Sequence, residues 1–90
     1  MKYDKKEVLQ LLDADTIIAL LKVVNLKYKH VAGRLNISRQ AIVYLMKHDA
    51  YKDWQKEIIL EMLLQHGCEV AEIMLVHQMV NKAKKVKHYE

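Results

Sequence analysis

Residues 28 to 47, YKHVAGRLNISRQAIVYLMK, admit few folds. Val31 and Leu35 are one helical turn apart, Ile42 and Leu45 are three apart, and Ile37 lies between the two pairs. That spacing buries one face of each of two short helices against the other, with Ile37 in the turn between them. Ala32 is small where such helices would cross most closely. Asn36 stands where the chain must bend, and Asn tolerates a left-handed conformation better than most residues. Ser38 supplies a hydroxyl able to cap the second helix. The segment predicts a helix, a tight turn and a second helix around one small core.

The rest of the chain agrees with a helical fold. Among 90 residues Pro and Phe are absent and Gly occurs only at 33 and 67, which suits helices joined by short turns. The core must come from Leu, Ile, Val, Met and Ala, with Trp54 and the tyrosines at its margins. We expect one all-α domain of four to five short helices, in which residues 1–48 form a binding part and 49–90 supply two C-terminal helices for core and dimerisation.

A first helix begins at Asp4, where Asp4 and Glu7 have capping-box spacing, and runs through Val8, Leu9, Leu11 and Leu12. Asp13, Asp15 and Thr16 offer caps for another start before the stripe Ile17, Leu20, Leu21 and Val24, giving either two helices or one kinked helix. Asp49 is placed to cap a helix through Tyr51, Trp54, Ile58, Met62 and Leu63 to His66, which Gly67 would end. Glu69 opens a last helix through Val70, Ile73, Met74, His77, Val80 and Ala83, finishing in lysines that suit a helix C-terminus better than they suggest a DNA arm.

Charge is unevenly placed. The formal net charge is +4, yet no acid occurs between Asp15 and Asp49, while Lys22, Lys27, Lys29, Arg34, Arg39 and Lys47 fall in that interval. Acids outnumber bases from Asp49 to Glu72, and Lys82, Lys84, Lys85 and Lys87 follow. A polyanion would be drawn to the 28–47 segment, because each neutralised phosphate releases condensed counterions.

The run Ile37-Ser38-Arg39-Gln40-Ala41-Ile42 resembles the turn and recognition-helix start of the lambda-repressor-like, or Xre/Cro, helix-turn-helix family, and Ile17 to Asn25 resembles the helix that precedes it. About half of the chain is covered. Three positions depart from the pattern: Asn36 replaces the common turn glycine, Lys27 stands where Ser or Thr is usual, and Gly33 lies inside the first motif helix. The resemblance implies a double-stranded DNA-binding transcription regulator, a repressor of the phage or mobile-element type. With Ile42 and Leu45 inward, Arg39, Gln40, Val43 and Tyr44 face out as base contacts: Arg39 suits guanine, Gln40 adenine and Val43 a thymine methyl. Lys27, Lys29, Ser38 and Lys47 are the expected phosphate contacts.

Ile59, Leu60 and Leu64 on one C-terminal helix, and Leu75, Val76 and Met79 on the other, exceed what one buried face requires. The surplus predicts a homodimer through Trp54, Ile58, Met62, Ile73, Met74 and Val80. Two recognition helices about 34 Å apart would then read a palindrome.

Other chemistries find little support. His66 and Cys68 lack the remaining ligands of a zinc site, and His77 reads as a packed or hydrogen-bonded histidine. Cys68 is the single cysteine and has no nucleophile motif around it; no Gly-rich phosphate loop occurs, and Asp13 with Asp15 is explained by capping. We expect no enzyme, no cofactor, no metal, no membrane span and a cytoplasmic location. The competing class is a protein-interaction module that reuses the scaffold to bind RNA polymerase or another regulator, burying the Arg39, Gln40, Tyr44 and Lys47 surface.

Overall fold

Most helix boundaries among the described residues can be traced to a residue that answers open backbone groups. The computed structural model describes residues 3–86, and among these it holds six helices: α1 Lys5–Leu11, α2 Ala14–Val23, α3 Tyr28–Leu35, α4 Arg39–His48, α5 Asp53–Gln65 and α6 Val70–Val86. The all-helical expectation holds, with one helix more than expected because residues 4–23 form two helices that break at Leu12 and Asp13. Asp4 accepts from the Lys6 N–H at 3.0 Å, and Asp13 accepts from the Thr16 N–H at 2.8 Å. Glu72 reaches back to the Glu69 N–H at 2.8 Å.

The C-terminal ends of α2, α3, α4 and α5 share one device. Asn25, Asn36, Asp49 and Gly67 all take positive φ. After each of them the next N–H turns back onto the helix just finished: Leu26 to the Leu21 carbonyl at 2.8 Å, Ile37 to Ala32 at 3.0 Å, Ala50 to Leu45 at 3.1 Å and Cys68 to Leu63 at 3.0 Å. Asp49 is therefore the stop of α4, not the cap of α5 as the sequence suggested. The start of α5 shifts to Asp53, where Gln55 accepts from the Lys52 N–H at 2.8 Å.

In the packing, α3 and α4 lie against each other, α2 braces α4, α5 supports α1 and α3, and α6 closes over α1 and α2. Leu12, Ile17, Leu20, Val31, Ile42, Ile59, Leu63 and Ile73 have no exposed surface. Each full burial of this kind contributes roughly 1.5–3 kcal/mol, so the core easily outweighs the ~1 kcal/mol that Gly33 costs in α3.

The apolar surplus divides unequally between the last two helices. Ile59, Leu60, Met62 and Leu63 on α5 are all buried within the chain, because α5 is packed on several sides. Met62 at 3% exposure and Ile73 at 0% are core residues and cannot present themselves to a second copy, contrary to the sequence reading. Trp54 and Met74 are exposed, while Ile58 and Val80 are half-buried. Leu75 and Met79 on α6 also remain in solvent. No helix among the described residues is long and apolar enough to cross a membrane.

Candidate nucleic-acid interface

The motif is built by α3 and α4 around the turn at 36–38. Asn36 has φ 57° and ψ 43°, the left-handed bend anticipated for it, and the Ser38 hydroxyl accepts the Ala41 N–H at 3.1 Å. That capping bond occupies an acceptor site on Ser38, but the side chain stays exposed and its hydroxyl proton can still be donated to a phosphate. Lys27 offers α3 no acceptor of its own; His30 serves instead, its Nδ1 taking the Lys27 N–H at 3.1 Å. The Lys27 ammonium is thus left for other contacts.

On α4, Ile42 and Met46 are buried and Leu45 is half-buried, which fixes the rotation of the helix. Met46 was missed in the sequence, although it lies one turn beyond Ile42. Arg39, Gln40, Val43, Tyr44 and Lys47 all lie on the solvent side, with Val43 45% and Tyr44 58% exposed. The Tyr44 ring rests against His48, centroids 4.4 Å apart and planes tilted by 41°. His48 was not singled out from sequence, though an aromatic pair at i and i+4 is a readable signal.

Arg39 also borders a concavity whose other walls come from α2 and the start of α3. Lys22, Lys27 and Lys29 stand with Arg39 around it, and Ile18, Leu21, Leu26 and Tyr28 complete the lining. Four cations and no carboxylate line this hollow. Arg34 does not join them: it turns to α5, with Nη2 3.5 Å from the Glu61 carboxylate and Nη1 3.4 Å from Gln65.

The acids that flank the motif in sequence are directed elsewhere. Asp49, at the end of α4, accepts the Ala14 N–H at 2.9 Å. Asp15 holds Lys84 at 2.6 Å, and Asp13 lies 3.6 Å from His77. His77 Nδ1 is also 3.2 Å from the Thr16 hydroxyl, so it is a hydrogen-bonded packing residue of α6. Lys84, in its surface pair with Asp15, and Lys82 are both exposed, while the side chain of Lys85 and the whole of Lys87 lie outside the described residues.

His66 and Cys68 find separate partners, His66 Nδ1 on the Met62 carbonyl at 2.8 Å and the Cys68 sulfur near the Glu69 carbonyl at 3.7 Å. Burial, then Glu72 and Glu69, push the Cys68 thiol up. Among the described residues no group of His, Cys, Asp and Glu is arranged to hold a metal ion. No family model matches this chain, and neither a curated protein nor a solved structure does.

Proposed function

We propose that this chain is a sequence-specific double-stranded DNA-binding regulator of the helix-turn-helix type, acting as a repressor by occupying an operator. The observation that carries the reading is the joint exposure of Arg39, Gln40, Val43, Tyr44 and Lys47 along one side of α4, beside a hollow ringed by Lys22, Lys27, Lys29 and Arg39. Guanidinium, amide and methyl groups in one stripe suit base edges in the major groove, and the lysines suit the flanking phosphates. The Tyr44 ring, steadied by His48, offers a hydroxyl to a phosphate or an edge to a sugar.

Exposed Val43 and Tyr44 also fit a groove on another protein, and that alternative keeps the same surface but replaces duplex by polypeptide. Selection from a random duplex pool at moderate salt, followed by sequencing, separates the two. An enriched motif supports DNA reading, and a palindrome with half-sites about ten base pairs apart supports two copies on one operator. Retention that disappears with added salt and enriches nothing overturns the proposal, since it measures phosphate attraction alone.

A further inference from the structure

The face of α6 turned away from the core is unlike an ordinary solvated helix side. Ile73, His77 and Lys84 point to α1 and α2, through the core contacts of Ile73, the Thr16 hydroxyl and the Asp15 carboxylate, and half-buried Asn81 contacts His77 beside them. Opposite them lie Ala71, Leu75, Gln78, Met79 and Lys82, at intervals of three and four, with Met74 beside them. Met74 is 49%, Leu75 56% and Met79 61% exposed. A small residue, a wide apolar centre and a lysine thus occur in order along one stripe.

We propose that this face pairs with the same face of a second copy, the two α6 helices running antiparallel about a twofold axis near residue 77. Charge decides the direction. Glu72, whose carboxylate also accepts the Glu69 N–H at 2.8 Å, borders the N-terminal end of the face, and Lys82 lies at the other. Antiparallel pairing brings Glu72 to the level of the partner's Lys82, sets Leu75 against the partner's Met79, and opposes the helix dipoles. Parallel pairing would stack lysine on lysine and acid on acid.

The stripe from Ala71 to Lys82 is about 16 Å long at 1.5 Å per residue. That falls short of the roughly 800 Å² per partner of a standard interface, so the pairing belongs to the weak class and is completed when one duplex holds both copies. The use assigned to the pairing rests on the DNA-binding reading; the pairing itself does not.

Sedimentation equilibrium from tens to several hundred micromolar tests association, and inter-label distances test direction. The wild-type chain should show a concentration-dependent dimer, weakened at least tenfold by Leu75→Glu with Met79→Glu and several-fold by Lys82→Glu at low salt. Nitroxides placed through Gln78→Cys and, separately, Ala71→Cys should be offset along the axis by about 3 Å at 78 and about 18 Å at 71. Brief labelling leaves the buried Cys68 untouched. A monomer throughout, or unchanged association in the double variant, overturns the pairing and leaves the face to a different protein. Equal separations at both positions overturn the antiparallel direction. Duplex selection without a dimer sinks this inference alone; a dimer without duplex selection supports it and sinks the DNA reading.

Discussion

The Asp49 carboxylate accepts the Ala14 N–H at 2.9 Å across 35 positions of chain. One residue ends α4, in the left-handed conformation at φ 50°, and helps to start α2, where Asp13 caps the Thr16 N–H and Asp15 adds negative charge to the first turn. The angle between α2 and α4 is therefore set by a bond as well as by packing. Asp49→Ala removes the acceptor, at about 1 kcal/mol, and leaves at a left-handed position a side chain without the polar group that lets Asp tolerate it, at a further ~1 kcal/mol. Asp49→Asn keeps both features and should lose less than half as much in urea unfolding. Equal losses would show that the bond does not contribute.

Gly33 sits inside α3, exposed, and an added β-carbon there meets nothing within 4 Å. Gly33→Ala should raise stability by about 1 kcal/mol through helix propensity alone. Thermal melts of the two chains check this, and a lower melting temperature for the alanine variant would mean that the glycine has a role the free space conceals.

Tyr51 is buried, and its hydroxyl has no hydrogen-bond partner among the described residues. Burial, then Tyr28 and Asp49, push its ionisation well above the ordinary 10.0. Folding thus favours the neutral phenol: the associated stability is complete below about pH 10 and is lost as pH climbs beyond it. Tyr51→Phe should be as stable as wild type at pH 7, or more stable by up to about 1 kcal/mol, and should fall less steeply above pH 10. Parallel alkaline profiles would remove Tyr51 from that transition.

On the proposed interface, Arg39→Ala should lose ~1–3 kcal/mol of discrimination at one base pair, whereas Lys29→Ala should weaken binding evenly and lower the salt slope by about one. Binding isotherms on matched and mismatched duplexes at several salt concentrations distinguish these outcomes. Identical effects of the two substitutions would mean that Arg39 reads no base.

How far the sequence could be read depended on the range of the interactions. Val31, Leu35, Ile42, Asn36 and Ser38 took their anticipated places because each answers to neighbours within a helical turn or across one short bend. Asp49 was misassigned because its partner, Ala14, is remote, while a cap for a following helix is the usual local meaning of Asp. Met62 on α5 and Ile73 on α6 were misread for a related reason: an apolar helical position looks the same whether its neighbour belongs to the same chain or to a second copy, and only the remote packing of α5 on α1 and α3 and of α6 on α1 and α2 decides it. The hollow ringed by Lys22, Lys27, Lys29 and Arg39 gathers charges from α2, α3 and α4, so sequence showed the charges without the cavity.

The burial of α1 and α2 beneath α6 also orders events during synthesis. Thr16 and His77 meet across 61 positions, and Lys84 reaches back to Asp15. A nascent chain that has already emerged as far as α4 therefore owns a complete α3–α4 pair but lacks the wall on which α1 and α2 rest. Local contacts form early and this closure must wait for α6. Until then, a half-made chain has α1 and α2 without their cover, and the finished fold arrives in one late step.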